Sequence, residues 1–255
     1  MYVACYDRHN MAIRSVQSRC PDRVTEAAEM AALSGAKHSS DPIVDDEYRI
    51  VLFEDREELW DIHARRHGMP LSFRGLDRRT GAGNLSRKQP LGRAIGSKAT
   101  VVIDATAGLG HDASLLACMG WQVIGIERDP FLAAALDLSL RDAARCDELQ
   151  DMLSGQLEFH CGDATSMLPT MEADVVYLDP MFTGRRSRSA LPKKPAQVLQ
   201  ALVDPGDDQT LLAAARDRAT RVVVKRPSDG PAIAEPDLVF PGRQVRYDVY
   251  LGARQ

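Results

Sequence analysis

The run Val101-Val102-Ile103-Asp104-Ala105-Thr106-Ala107-Gly108-Leu109-Gly110-His111-Asp112 limits what this chain can fold into more than any other stretch. β-favouring apolar residues end at an acid, two glycines follow one residue apart, and a helix-like run from Ala113 to Met119 stops at Gly120. That order is strand, tight turn, helix, the opening of a nucleotide-binding βαβ unit. The glycines let the backbone approach a ligand in dihedrals that a Cβ forbids. Trp121 to Ile126 reads as the second strand. Glu127 ends it, about 20 residues into the unit, where a carboxylate receives ribose hydroxyls. The plainer counterpart is a Gly turn in an ordinary α/β core with Glu127 on its surface.

A chain of 255 residues, 44% hydrophobic and 27% charged, has the make-up of a soluble globular protein with a full core. No apolar run reaches the roughly 18–20 residues of a membrane helix, and no signal-peptide pattern opens the chain. Cys5, Cys20, Cys118, Cys146 and Cys161 are scattered without C-x-x-C spacing. They suit a reducing cytoplasm better than a disulfide framework or a zinc knuckle. Cys161, with no base partner, reads as a packed residue rather than a nucleophile. His63 and His67, four apart, lack a third ligand, so no metal is expected. The formal net charge of −4 argues against non-specific coating of nucleic acid but leaves room for a local basic surface.

Three regions follow from the patterning. Residues 1–68 read as a small α/β subdomain: a short strand at Met1–Tyr6, a helix over Arg23–Ala36, a strand at Tyr48–Phe53 and a helix over Glu57–Arg66 closed by Gly68. Residues 69–98 are a Gly-rich basic connection, in which Arg74, Arg78, Arg79, Arg87, Lys88, Arg93 and Lys98 face only Asp77. Such a segment suits a polyanion such as RNA, or is simply a solvated linker. Residues 99–255 hold the Gly turn and its continuation. A helix starts at Pro130 with Asp129 as N-cap, and strands follow at Leu157–His160, Asp174–Leu178 and Arg221–Lys225. Gln209–Ala219 is helical, and short strands at Val239–Phe240 and Gln244–Leu251 close the chain. The expected fold is a doubly wound, mostly parallel seven-stranded Rossmann-like sheet with a terminal antiparallel hairpin.

Asp104, Glu127, Asp163 and Asp179 each stand at the end of one of four successive strands. Parallel strands share one carboxyl edge, and ligands bind there, so the four acids suggest a single site. The order of motifs resembles the class I S-adenosylmethionine (SAM)-dependent methyltransferases. Asp104 to Gly110, with Gly108 and Gly110, is similar to their first motif, Glu127 to the ribose acid, and Gly162-Asp163 to the pair beside the adenine. Asp179-Pro180-Met181-Phe182 is similar to the (D/N)-P-P-(F/Y) motif of enzymes that methylate exocyclic amines of bases. An exocyclic amine is a poor nucleophile because its lone pair is delocalised into the ring. Acceptors at Asp179 and the Pro180 carbonyl would orient that lone pair, and Phe182 would stack on the base.

The resemblance narrows with Tyr177-Leu-Asp-Pro-Met-Phe182, Ser189-Ala-Leu-Pro-Lys-Lys194, Arg221-Val-Val-Val-Lys-Arg-Pro227 and Arg246-Tyr-Asp-Val-Tyr250. Together with the Gly turn they resemble the ribosomal RNA small subunit methyltransferase J family, which methylates guanine N2 in 16S ribosomal RNA. The likeness runs from about Met69 to the C-terminus. It implies SAM as cofactor, ribosomal RNA or the assembling 30S subunit as partner, and His111, Asp112, Glu127, Arg128, Gly162, Asp163 and Asp179 as cofactor contacts. His111 stands where the family usually has Arg, and Gly162-Asp163 where a Ser pair is common. Arg185, Arg186, Arg188, Lys193 and Lys194 follow the Asp-Pro-Met-Phe motif directly and suit RNA phosphates, with Lys225 and Arg226 extending that surface.

Two other classes share parts of this pattern. Ala113, three residues after Gly110, is allowed in the nicotinamide-binding fingerprint, so the glycines alone do not separate a methyltransferase from an oxidoreductase. A non-catalytic RNA-binding assembly factor would also keep the fold. The complete Asp179–Phe182 motif favours the methyltransferase over both, with another amine, such as adenine N6 or a small molecule, as the alternative acceptor.

Overall fold

The computed structural model describes residues 14–38, 47–62, 68–79, 85–180 and 207–252. The N-terminal part is a five-stranded sheet built from β1 (Arg14–Ser18), β2 (Lys37–His38), β3 (Tyr48–Leu52), β4 (Glu57–Asp61) and β5 (Met69–Pro70), in the order β2-β1-β3-β4-β5. Helix α1 (Val24–Ser34) packs on one face and ends at Gly35, whose φ of 66° makes the left-handed cap. The strand expected at Met1–Tyr6 and the pair His63/His67 lie outside the described residues.

The helix expected over Glu57–Arg66 is instead a strand as far as Asp61. Phe53 N–H donates to the Arg56 carbonyl (2.9 Å), closing a tight turn, and β4 runs back antiparallel to β3 with Tyr48 opposite Asp61. Glu57 and Leu59 are buried while Glu58 and Trp60 are half-buried, a period of two. Helix-forming Glu residues lose here to a free sheet edge, because strand preference follows the surface to be covered. Buried Glu57 is ionically matched by Arg23 (2.7 Å) and Arg145 (2.8 Å).

The larger sheet follows α2 (Pro90–Ile95). Its strands are β6 (Val101–Asp104), β7 (Gln122–Glu127), β8 (Leu157–Cys161), β9 (Val175–Leu178), β10 (Arg221–Pro227), β11 (Leu238–Pro241) and β12 (Val245–Leu251), in the order β11-β12-β10-β9-β6-β7-β8. Strands β10, β9, β6, β7 and β8 are parallel, and β12 and β11 complete the sheet antiparallel, as the patterning predicts. Val222, Val223 and Val224 are all fully buried, so both faces of β10 are covered. Each such side chain contributes about 1.5–3 kcal/mol.

The connections are α3 (His111–Cys118), α4 (Pro130–Ala144), α5 (Asp147–Leu153), α6 (Ala164–Met167) and α7 (Asp208–Arg218). One core joins α2, α3 and α5 to one sheet face, and a second joins α7 and Ala164 of α6 to the other. Helix α4 belongs to two cores: Leu136 and Ala143 face the larger sheet, while Phe131, Leu132, Ala135 and Leu138 pack with α1 and the N-terminal sheet. Among the described residues no helix is long and apolar enough to cross a membrane.

Candidate active site at the carboxyl edge of the sheet

The four strand-ending acids stand along one edge because β9, β6, β7 and β8 are parallel neighbours. Asp104 closes β6, fully buried, and accepts from Thr106 N–H (3.1 Å). Burial above all, with the nearby Asp112 carboxylate, pushes it up to about 8, so it is neutral at pH 7. The chain then turns with Gly108 (φ 56°) and Gly110 (φ 74°) both left-handed. Gly110 has no alternative: a Cβ there would lie 2.6 Å from Leu136 Cδ2 and 2.9 Å from Phe159 Cζ.

Glu127 fastens this turn from the next strand. One carboxylate oxygen accepts from Gly108 N–H and the other from Asp129 N–H, both at 2.8 Å. Burial, with Asp129 adding to it, raises Glu127 to about 7 against these two N–H donors. Asp129 caps α4 through Phe131 and Leu132 N–H (3.0 and 3.1 Å), as expected. It also receives Arg14 of β1 at 2.8 and 2.6 Å, which ties the N-terminal sheet to the residue two places from Glu127.

Gly162 N–H donates to the Glu127 carbonyl (2.9 Å), and a Cβ on Gly162 would meet Met167 Sδ at 2.5 Å. Exposed Asp163 caps α6, its Oδ1 accepting from Thr165 and Ser166 N–H (2.8 and 3.3 Å) and from the Thr165 hydroxyl. Burial works against its charge, but these bonds and the neighbouring Arg128 outweigh it and hold Asp163 below the usual carboxylate range.

Asp179 and Pro180 follow β9. Asp179 N–H donates to Thr106 Oγ1 (2.6 Å), joining the acceptor motif to the Gly turn. Its carboxylate is 2.9 Å from Lys225 Nζ, and the same Nζ lies 2.6 Å from Asp112 in the first turn of α3. Tyr177 OH donates to that Asp112 oxygen (2.6 Å). Asp112 is therefore more than a charge at a helix start. Burial opposes its ionisation, yet Lys225 and the Tyr177 hydroxyl hold it low. Asp179 is pushed up by burial and by Asp112, against the pull of Lys225. Exposed His111 opens α3, and half-buried Arg128 sits between Glu127 and Asp129.

Thr106 and Tyr177 line this edge without having been given a role by the motifs, and Lys225, expected on an RNA-facing surface, bridges two of the acids instead. Lys225 carried a signal: a cation directly after the buried Val222-Val223-Val224 run, on the strand beside that of Asp179. Its neighbour Arg226, expected on an RNA-facing surface, is only 3% exposed and donates to the Pro231 carbonyl (3.0 Å).

The basic connection is placed elsewhere. Arg78 pairs with Glu148 of α5 (2.9 Å) and Arg79 with Asp77 (2.6 Å). Arg87 stacks 4.2 Å over Trp121 and donates to the Met119 carbonyl (2.9 Å). Met119 and α5 precede β7 and β8, so these arginines sit toward the amino edge, away from the acids. Lys88 is exposed beside them. Phe182, Arg185, Arg186, Arg188, Lys193 and Lys194 lie outside the described residues.

Residues 49–252 match the family model described as "Putative SAM-dependent methyltransferase". The chain is 39% identical over 216 residues to the ribosomal RNA small subunit methyltransferase J of Halorhodospira halophila, covering 79% of this chain and 80% of that protein. It is also 39% identical to the protein of the same name from Nitrosococcus oceani, over 79% of this chain and 83% of the relative. The crystal structure of a SAM-dependent methyltransferase from Neisseria gonorrhoeae shares the fold, with a TM-score of 0.69 at 24% identity over 94% of this chain and 97% of that one. A Gly turn clasped by a strand-end carboxylate, an Asp-Pro acceptor motif bonded to that turn, and relatives matching along most of their length place this chain in the ribosomal RNA small subunit methyltransferase J family of SAM-dependent methyltransferases.

Proposed function

We propose that this protein transfers a methyl group from SAM to the exocyclic N2 of a guanine in 16S ribosomal RNA, as free RNA or in the assembling 30S subunit, in the cytoplasm. The observation that carries the reading is the placement of Asp179: it is bonded through its backbone to the Gly turn and through its carboxylate to Lys225, on the same edge as Glu127.

The residues fit the cofactor by the chemistry of their donors and acceptors. Glu127 offers oxygens with lone pairs left for ribose hydroxyls, Asp163 accepts all its capping bonds at Oδ1, and Asp112 and Asp179 put negative charge beside the turn. Asp104, Gly108, Gly110, His111, Arg128 and Gly162 complete that half of the site. When bound, SAM supplies a methyl group on a positively charged sulfur.

On the acceptor side, the Asp179 carboxylate and the Pro180 carbonyl accept from the two N–H bonds of the amine, turning its lone pair out of conjugation and towards the methyl carbon. Phe182 stacks on the extruded base. As the amine took up the methyl group that SAM supplies, Asp179 or solvent would accept the N–H proton it releases. Arg185, Arg186, Arg188, Lys193 and Lys194 hold RNA phosphates around that position, with Arg78, Arg79, Arg87 and Lys88 as a second, more distant contact region.

Asp179→Ala should cut methyl transfer by about 100-fold or more, the scale for losing a positioned polar group, while the protein stays folded. Unaltered turnover would overturn the assignment. Mass mapping of ribosomal RNA from cells with and without the gene tests the acceptor: one N2-methylguanine should disappear from 16S RNA. Loss of an N6-methyladenine instead, or of no methylated base, would move the activity to another amine.

A further inference from the structure

Lys225, expected from the sequence on an RNA-facing surface, stands instead where the two halves of the site meet. Its Nζ reaches Asp112 of the Gly-turn helix at 2.6 Å and Asp179 of the acceptor motif at 2.9 Å. The ammonium is half-buried and is held charged well above its ordinary range by those two carboxylates, against the cost of burial.

We propose that Lys225 is a positioning residue for methyl transfer: it spans Asp112 and Asp179, aims the Asp179 carboxylate, and keeps that carboxylate ionised as the acceptor of the amine.

The argument is one of charge and geometry. The groups facing Asp179 are Asp112 from α3, Lys225 and Arg226 from β10, Tyr177 from β9, Asp104 from β6 and Tyr247 from β12. Tyr177 and Tyr247 titrate far above neutrality, and burial keeps Asp104 protonated. Arg226 donates to the Pro231 carbonyl and lies 3.7 Å from Asp208, and its charge adds a weaker pull on Asp179 than that of Lys225. The groups in direct contact are Asp112, Asp179 and Lys225, a triad with a formal charge of −1. Without Lys225 two carboxylates would share a half-buried space, and like charges at that range force one of them to take up a proton. A protonated Asp179 has lost an acceptor lone pair and can no longer take the amine proton. With Lys225 present, the proton released from the amine brings the cluster from −1 to neutral.

This inference rests on Asp179 being the amine acceptor, so the first readout is independent of turnover. In the full-length apoprotein, infrared difference titration against Asp179→Asn isolates the Asp179 carboxyl. Lys225→Met should raise its midpoint by about 1–3 pH units, the effect of losing a close opposite charge. Asp112→Asn, which removes the like charge and preserves shape, should lower it. The acid limb of kcat for RNA methylation should move in the same two directions, with KM for RNA changed less than threefold, and Lys225→Arg should restore the wild-type limb. Far-ultraviolet circular dichroism with a cooperative thermal melt identifies folded variants. If Lys225→Met does not fold, the downward shift in Asp112→Asn and the rescue by Lys225→Arg decide the matter. Equal midpoints in the folded variants, or shifts of the same sign, would overturn the proposal. Shifted midpoints with unaltered turnover would uphold the electrostatic link and overturn the acceptor role of Asp179 instead.

Discussion

Glu127 carries a pH signature that belongs to a single residue. Its charged form is the better acceptor for hydroxyl groups, and burial holds the unliganded carboxyl at about 7. The sign follows directly. Below that value the carboxyl carries a proton and one lone pair fewer, so binding weakens as pH falls and saturates above about 8. S-adenosylhomocysteine affinity, measured by calorimetry, should therefore rise by about tenfold from pH 6 to pH 8, the change in ionised fraction for a group titrating near 7. Glu127→Gln should bind weakly and lose most of that slope; an undiminished slope would place the titration elsewhere. At this scale the sequence was generous with acids and silent on their partners. Strand ends reveal Asp104, Glu127 and Asp179, because a parallel sheet puts every strand end on one edge. The bond from Asp179 N–H to Thr106 and the bridge made by Lys225 join residues 73 and 46 positions apart, and no local pattern encodes either.

Between elements, the contact with most leverage is Arg14 of β1 on Asp129, the cap of α4. Both side chains are buried, and Asp129 N–H holds one oxygen of Glu127. Arg14→Met would leave Asp129 as a buried charge without its cation, a loss of about 3–5 kcal/mol. The proposed cofactor site should suffer with it, since the cap and Glu127 are two residues apart. Denaturant melts should show the destabilisation, and Arg14→Met with Asp129→Asn should recover part of it, because the neutral cap still accepts from Phe131 and Leu132 N–H. A double variant no better than Arg14→Met would mean that the guanidinium acts through other contacts. Strand β1 also shows why this region read poorly. Its sequence, Arg-Ser-Val-Gln-Ser, offers one apolar residue, yet its first four positions are buried. Arg49 of β3 crosses to the Ser15 hydroxyl (3.2 Å) and the Gln17 amide oxygen (3.3 Å), so polar pairing does there what a continuous apolar run does in β6 and β10. Hydrophobic periodicity cannot see a sheet face of that kind. In β4 the error ran the other way: helix-forming residues concealed a strand whose inward Glu57 is matched by arginines from α4 and the α1 approach.

At the scale of the whole molecule, the shared helix α4 should make the two sheets unfold as one cooperative unit. Its inner face packs on β7 and β8 and its outer face on α1 and β4. The two tryptophans report on each part separately: Trp60 on β4, and Trp121 beside β7 with its indole N–H on the Ala99 carbonyl (3.1 Å). Trp60→Phe and Trp121→Phe proteins should each show fluorescence and circular dichroism transitions that coincide, the mark of two-state unfolding. An earlier transition seen only by Trp60 would show that the N-terminal sheet melts on its own.

The same helix sets an order of events during synthesis. The strands of the N-terminal sheet leave the ribosome first, but the surface that covers their apolar face is α4, which ends at Ala144, well after β5 closes at Pro70. At about 5–20 residues per second the nascent chain carries that face uncovered for several seconds or more. During that interval Val16, Ile50, Leu52 and Leu59 have α1, Met69 and Leu71 beside them but lack Phe131, Leu132, Ala135 and Leu138, and they are the side chains open to a chaperone.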